Sequence, residues 1–179
     1  MSINKLTHEP ANPYCDVCNR AKMRAPKRFA GSFAKRCHPT AWRELIAMDH
    51  LVSKKGSMMG MTGGRDAFIL RDLCTGVWHL CALKSKAAEN TKREIKRFVG
   101  EAEVGRVYSD KSGEIAKACE SFNILHGPSL PGAPQNNAMA ERNNRDIIDG
   151  ARASMIQAGF PSCFWPFAGP RCCILDNTV

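Results

Sequence analysis

The chain has 179 residues, of which 44% are hydrophobic, and its 26 Lys/Arg against 17 Asp/Glu give a net charge of +9. That is enough apolar material for one ordinary domain plus a modest appendage, and too much for a disordered tail. No apolar run reaches bilayer length and Met1–Pro10 lacks the apolar block of a secretory signal, so neither a membrane-spanning nor a secreted chain is expected.

The positive charge is concentrated at the start. Residues 1–43 carry nine Lys/Arg against two acids, a net +7, leaving +2 for residues 44–179. With little helical or strand periodicity, this segment reads as a loosely structured basic arm, an electrostatic footprint for nucleic acid. Lys22, Arg24, Lys27 and Arg28 form its densest cluster. The nine cysteines are odd in number and form no dense framework, which favours reduced thiols and a metal site over a disulfide scaffold. Cys15-x-x-Cys18 offers two thiolates to a tetrahedral zinc and His8 a third ligand. The fourth ligand stays open between Cys37, His38 and an upstream histidine. A redox role for the pair lacks a surrounding β-α-β pattern.

From residue 44 the apolar runs Glu44–Leu51, Arg65–Leu73 and Val77–Leu83 predict three strands, the last two joined by a turn at Cys74-Thr75-Gly76. Lys86–Val99 predicts an amphipathic helix with Thr91, Ile95, Phe98 and Val99 inward and Lys92, Arg93, Lys96 and Arg97 outward, stopped by Gly100. Val104–Ser109 is a fourth strand. Ile115, Ala118, Cys119 and Phe122 mark a second helix, and Ile124–His126 a short fifth strand. A Gly/Pro-rich loop over Gly127–Pro134 leads to a long helix from about Asn137 to Ala158, with Ile148, Ala151 and Met155 on one stripe. The order β-β-β-α-β-α-β-α predicts an α/β fold, a mixed sheet with helices on its faces.

Asp49 falls near the end of the first strand and Asp110 at the end of the fourth; if those strands are neighbours, the two acids converge. Glu141 lies seven residues before Ile148 and is expected to begin the inward stripe of the long helix. Three converging carboxylates call for neutralisation by Mg²⁺ or Mn²⁺, and two such ions suit phosphodiester transfer. Asp72 competes with Asp49, although its Arg71-Asp72-Leu-Cys-Thr-Gly setting reads as hairpin-turn chemistry.

Tyr108-Ser-Asp110-Lys-Ser-Gly-Glu114 resembles the Ser-Asp-Asn-Gly-Gly-Glu segment of retroelement integrases. Pro134-Gln-Asn-Asn137-Ala-Met-Ala-Glu141-Arg142 resembles their Pro-Gln-x-Asn-Gly-x-x-Glu-Arg stretch, continued by Ala151-Arg152, Ala158-Gly-Phe-Pro161 and Phe164-Trp165 in the order of copia-type polyproteins. Asn12-Pro-Tyr-Cys15-Asp-Val-Cys18 resembles the end of the His-His-Cys-Cys zinc module that precedes that core.

The resemblance implies a ribonuclease-H-like mixed five-stranded sheet with flanking helices, two Mg²⁺ or Mn²⁺ ions, and 3′-processing plus strand transfer of element DNA into a target. By position it makes Asp49, Asp110 and Glu141 the catalytic, metal-holding carboxylates and His8, Cys15 and Cys18 the Zn²⁺ ligands. Asn136, Asn137, Arg142 and Arg145 would meet DNA, with Asn137 on the loop before the helix. It further implies a homo-oligomer, a setting in the nucleus or the cytoplasm inside a virus-like particle, and a chain that is a piece of a longer polyprotein or a decayed copy. The organisation expected is a zinc-binding arm at 1–43, a catalytic core at 44–168 and a truncated tail at 169–179. Two other functions remain open: a DNA-binding remnant of a transposable element without chemistry, and a zinc-organised interaction module.

Overall fold

The stretch Leu45–Val52, β1, is apolar on both faces around Asp49, as a strand covered on both sides requires. It lies at the centre of a five-stranded sheet ordered β3-β2-β1-β4-β5. The other strands are β2 (Asp66–Asp72), β3 (Trp78–Leu83), β4 (Arg106–Ser109) and β5 (Leu125–Pro128). The computed structural model describes residues 12, 14–21, 39–52, 59–110, 112–128 and 134–178; the side chains of residues 128, 134–140 and 143 lie outside that description. β1 pairs antiparallel with β2, placing Asp49 opposite Ile69, and β2 pairs antiparallel with β3. β1 and β4 run parallel, with Ala47 beside Tyr108, and β4 and β5 run parallel in turn. The leading meander and the later crossovers are those the sequence predicts.

Each crossover supplies a helix. Helix α2 (Ala88–Val99) joins β3 to β4, and α3 (Gly113–Ser121) joins β4 to β5. They cover one face, where Ile46, Met48, Phe68, Leu70, Leu83, Ile95, Val107, Ile115 and Cys119 form a continuous core. The opposite face packs against α4 (Pro134–Ala158) and α5 (Trp165–Asp176), with Ala67, Ile69, Trp78, Leu80, Ile147 and Cys173 buried together. Asp49 shares this second face, because its cross-strand partner Ile69 and its neighbour Leu51 pack there.

Asp72 closes the β2–β3 hairpin. Its carboxylate is fully buried; Oδ2 accepts from the Thr75 backbone N–H and hydroxyl, both at 2.7 Å, and Oδ1 accepts from the Arg43 N–H at 2.8 Å. Arg43 has φ +68°, so the same carboxylate holds a left-handed residue at the entry to β1. Asp72 is therefore a turn and anchor residue, as its flanking sequence suggests.

The structure departs from the sequence reading at four places. A short helix, α1 (Asp16–Ala21), lies within the basic arm and packs on α4 through buried Cys18 and Ala21. β5 extends to Pro128, and α4 starts at Pro134, so the ends of the predicted loop belong to regular elements and Asn136 and Asn137 lie in the helix rather than before it. Residues 169–176 are no tail: α5 runs through Pro170 and buries Gly169, Cys172 and Cys173. Gly150 allows α5 to approach α4, since a Cβ there would fall 2.5 Å from the Cys172 sulfur. Beyond α5, Asn177 accepts from the Trp78 N–H at 2.8 Å and donates to its carbonyl at 2.9 Å, pairing with the edge strand as another strand would.

Candidate active site

The parallel register of β1 and β4 positions the first two predicted acids. Ala47 is level with Tyr108, so two residues farther along Asp49 comes level with Asp110, the first residue beyond β4. Asp49 is not at a strand end, because β1 continues beside β2 to Val52. Burial pushes the Asp49 carboxyl above its usual range; a hydrogen bond from Asn144 opposes this and the charge of Asp110 adds to it. The donor is the Asn144 amide, which reaches Asp49 Oδ2 from α4. Two carboxylates in a partly dehydrated setting, one raised partly by the other, form a site whose charge favours a cation.

Asp110 is oriented by its surroundings. Its Oδ1 accepts from the Ser112 N–H at 3.0 Å, an Asx-type turn leading into α3. Its carbonyl accepts from the Ser109 hydroxyl at 2.8 Å, and that hydroxyl lies 2.7 Å from His126 Nε2 on β5. Both bonds are satisfied when His126 carries its proton on Nε2. Burial lowers the His126 pKa, which favours this neutral ring. At the start of α3, Glu114 is held below the usual carboxylate range by its own backbone N–H and by the Ser112 hydroxyl, 2.9 Å from its Oε2. His50, next to Asp49 in sequence, serves the other face, with Nε2 3.2 Å from the Thr91 hydroxyl.

Glu141 differs from expectation. It is exposed, one turn before buried Asn144, and the inward stripe of α4 runs through Asn144, Ile147 and Ala151. The seven-residue spacing from Ile148 suggests an inward Glu141, but spacing alone carries no information on burial, and the residue is exposed. Arg142 and Arg145 are also exposed on this first stretch of α4, and the Asn136 and Asn137 side chains are outside the described residues. So are His8, Lys22, Arg24, Lys27 and Arg28, and with them the candidate ligands Cys37 and His38. Cys15, half-buried, directly precedes α1 and Cys18 is buried within it; the Cys18 backbone N–H draws the Cys15 thiol below its ordinary value.

Three residues of this site were not singled out from sequence. Asn144 could have been found, since it lies four residues before Ile148 on the apolar stripe and a buried amide needs a partner. Ser109 and His126 gave no local signal; they meet only because β4 and β5 pair.

No protein-family model matches the chain. Over 87 residues it is 36% identical to the retrovirus-related Pol polyprotein of transposon TNT 1-94 from Nicotiana tabacum, a match covering 49% of this chain and 6% of the polyprotein. Over 68 residues it is 34% identical to the corresponding polyprotein of transposon RE1 from Arabidopsis thaliana, covering 36% of this chain and 5% of that one. The fold is similar to the catalytic core domain of BIV integrase, with a TM-score of 0.52 at 18% identity over 74% of this chain and 82% of that domain. This chain carries an integrase-like region. Its mixed five-stranded sheet with flanking helices is the ribonuclease-H-like fold of the integrase catalytic core. The chain spans only a small fraction of the polyproteins it matches. Among the described residues no helix is long and apolar enough to cross a membrane.

Proposed function

We propose that this chain is the catalytic region of a retroelement integrase, a polynucleotidyl transferase that trims the 3′ ends of element DNA and joins them to a target. The observation that carries the proposal is the pairing of Asp49 with Asp110 at the β1–β4 junction, where burial and mutual repulsion raise the Asp49 carboxyl. Asp49 and Asp110 would hold Mg²⁺ or Mn²⁺, with Glu141 completing the set from the exposed first turns of α4. Bound there, divalent cations supply positive charge for the phosphate oxygens during transfer. The chain's own residues do the positioning. Asn144 fixes the orientation of Asp49, while the Ser109–His126 pair and the Ser112 N–H fix Asp110.

In the transfer step an oxygen nucleophile, water or a DNA 3′-hydroxyl, would lose its proton to solvent and form a P–O bond. The bond from phosphorus to the 3′-oxygen of the cut strand would break, that oxygen leaving as a hydroxyl after taking up a proton. DNA would be held by Lys22, Arg24, Lys27 and Arg28 of the basic arm, by Arg142 and Arg145, and by Asn136 and Asn137 at the start of α4. The arm, residues 1–43, would be organised by zinc on His8, Cys15 and Cys18, and the core would act as a homo-oligomer. The exposure of Glu141, one turn short of Asp49's partner Asn144, favours a second reading: a DNA-binding remnant of a transposable element without chemistry. A strand-joining assay with element-end DNA and Mn²⁺ separates the two. Joining that is lost in Asp110→Asn and in Glu141→Gln, with DNA binding retained, supports the integrase. DNA binding without joining in the wild type supports the remnant.

A further inference from the structure

On the sheet face away from Asp49, at the edge strand, three ligand-type side chains meet. His79 and Cys81 are two residues apart on β3 and so share a face, the one covered by α2. Glu94 projects from α2 toward them and is buried. The ligand atoms of His79, Cys81 and Glu94 all lie within 4.8 Å of one another. We propose that these three side chains bind one divalent cation of the zinc class and thereby tie edge strand β3 to helix α2.

The donor set decides the ion. An imidazole nitrogen, a thiol sulfur and one carboxylate oxygen match the borderline-soft preference of Zn²⁺ and are a poor set for Mg²⁺ or Ca²⁺, which take oxygen alone. Three protein ligands leave a fourth tetrahedral position for water. The site is also largely preformed. Phe98 stacks on the His79 ring at 5.9 Å between centroids, and His79 Nε2 already lies 3.4 Å from Glu94 Oε2.

Glu94 is otherwise neutralised by Arg93 at 3.3 Å and Arg97 at 3.5 Å, long contacts from guanidinium groups that are themselves well exposed. Such groups can swing into solvent at little cost when a cation takes their place. The Cys81 thiol is pushed up to about 12 by burial and by Glu94, so a cation that ligates it displaces a proton to solvent. The site is separated from Asp49 and Asp110 by the sheet itself, so its failure would leave the integrase proposal untouched.

The test uses the full chain carrying Cys15→Ser and Cys18→Ser, which removes the Cys-x-x-Cys thiols proposed to bind zinc in the arm. Titrated with Co²⁺, this protein is expected to develop a thiolate-to-metal charge-transfer band that saturates at one equivalent and is displaced by Zn²⁺. Cys81→Ser abolishes the band, and Glu94→Gln lowers affinity by at least about tenfold. Should Cys81→Ser not fold, His79→Gln decides the matter by the same loss of affinity with the thiol intact. Absence of a saturating band, a band that survives Cys81→Ser, or unchanged affinity in His79→Gln would overturn the proposal and leave an ion-pair cluster only.

Discussion

Replacing Asp72 by Ala removes three short hydrogen bonds at once and tests which aspartate holds the fold and which serves the site. The lost partners are the Arg43 N–H at 2.8 Å and the Thr75 N–H and hydroxyl at 2.7 Å. The Arg43 N–H is half-buried and would be left without this acceptor, at roughly 1–3 kcal/mol, while Arg43 keeps its left-handed strain. Thr75 is exposed, so water recovers part of its loss, and the whole change should cost about 3–5 kcal/mol. For a chain of this size each kcal/mol moves the melting temperature by about 2–4 °C, so a fall of roughly 6–20 °C is expected. Asp72→Asn is intermediate, because its amide must place a donor against Thr75 or Arg43. Urea denaturation followed by far-ultraviolet circular dichroism measures both variants. An Asp72→Ala protein within about 0.5 kcal/mol of wild type, the size of an ordinary surface change, would show that the buried carboxylate anchors nothing.

Asp49 should behave in the opposite way. Its folded-state pKa is raised above the unfolded value, so the ionised form carries a penalty at neutral pH that fades as pH falls through the folded pKa toward about 4. In chelator, Asp49→Asn is therefore expected to be more stable than wild type at pH 7, with the difference shrinking by pH 4; a pH-independent difference in urea midpoints would contradict the burial argument. Asn177→Ala removes both bonds to the Trp78 backbone, and should cost about 1–2 kcal/mol and speed hydrogen exchange at the Trp78 amide. Unchanged exchange there would mean that the edge strand is protected by α5 packing alone.

The parts of the fold legible in sequence are those written in local periodicity. The apolar runs of β2 and β3, the Thr91–Ile95–Phe98 stripe of α2 and the turn residues at Thr75-Gly76 each carry their own signal. The missed helix α5 shows the limit. Its Pro166, Gly169 and Pro170 are poor helix formers, yet Pro166 stands in the first turn, where its missing N–H costs nothing, and Gly169 gives Leu80 room. At the candidate site, Asp110 is legible because the end of β4 can be read from its apolar run, and Asp49 because it is a lone acid inside the apolar run of β1. Glu141 is exposed rather than inward, since helical periodicity does not say which turns a neighbouring element covers. Asn144, Ser109 and His126 depend on contacts between distant elements, and no spacing along the chain encodes those.

The most direct test of the proposed catalytic centre is a calorimetric Mn²⁺ titration of the wild-type chain against Asp110→Asn. If Asp49 and Asp110 together hold the ion, the wild type binds Mn²⁺ with a measurable heat and gains thermal stability from it. Asp110→Asn then loses at least about tenfold in affinity and most of that gain, since one unit of negative charge leaves the site. Equal affinity and equal metal-induced stabilisation in the two proteins would contradict the assignment of this acid pair as the metal centre.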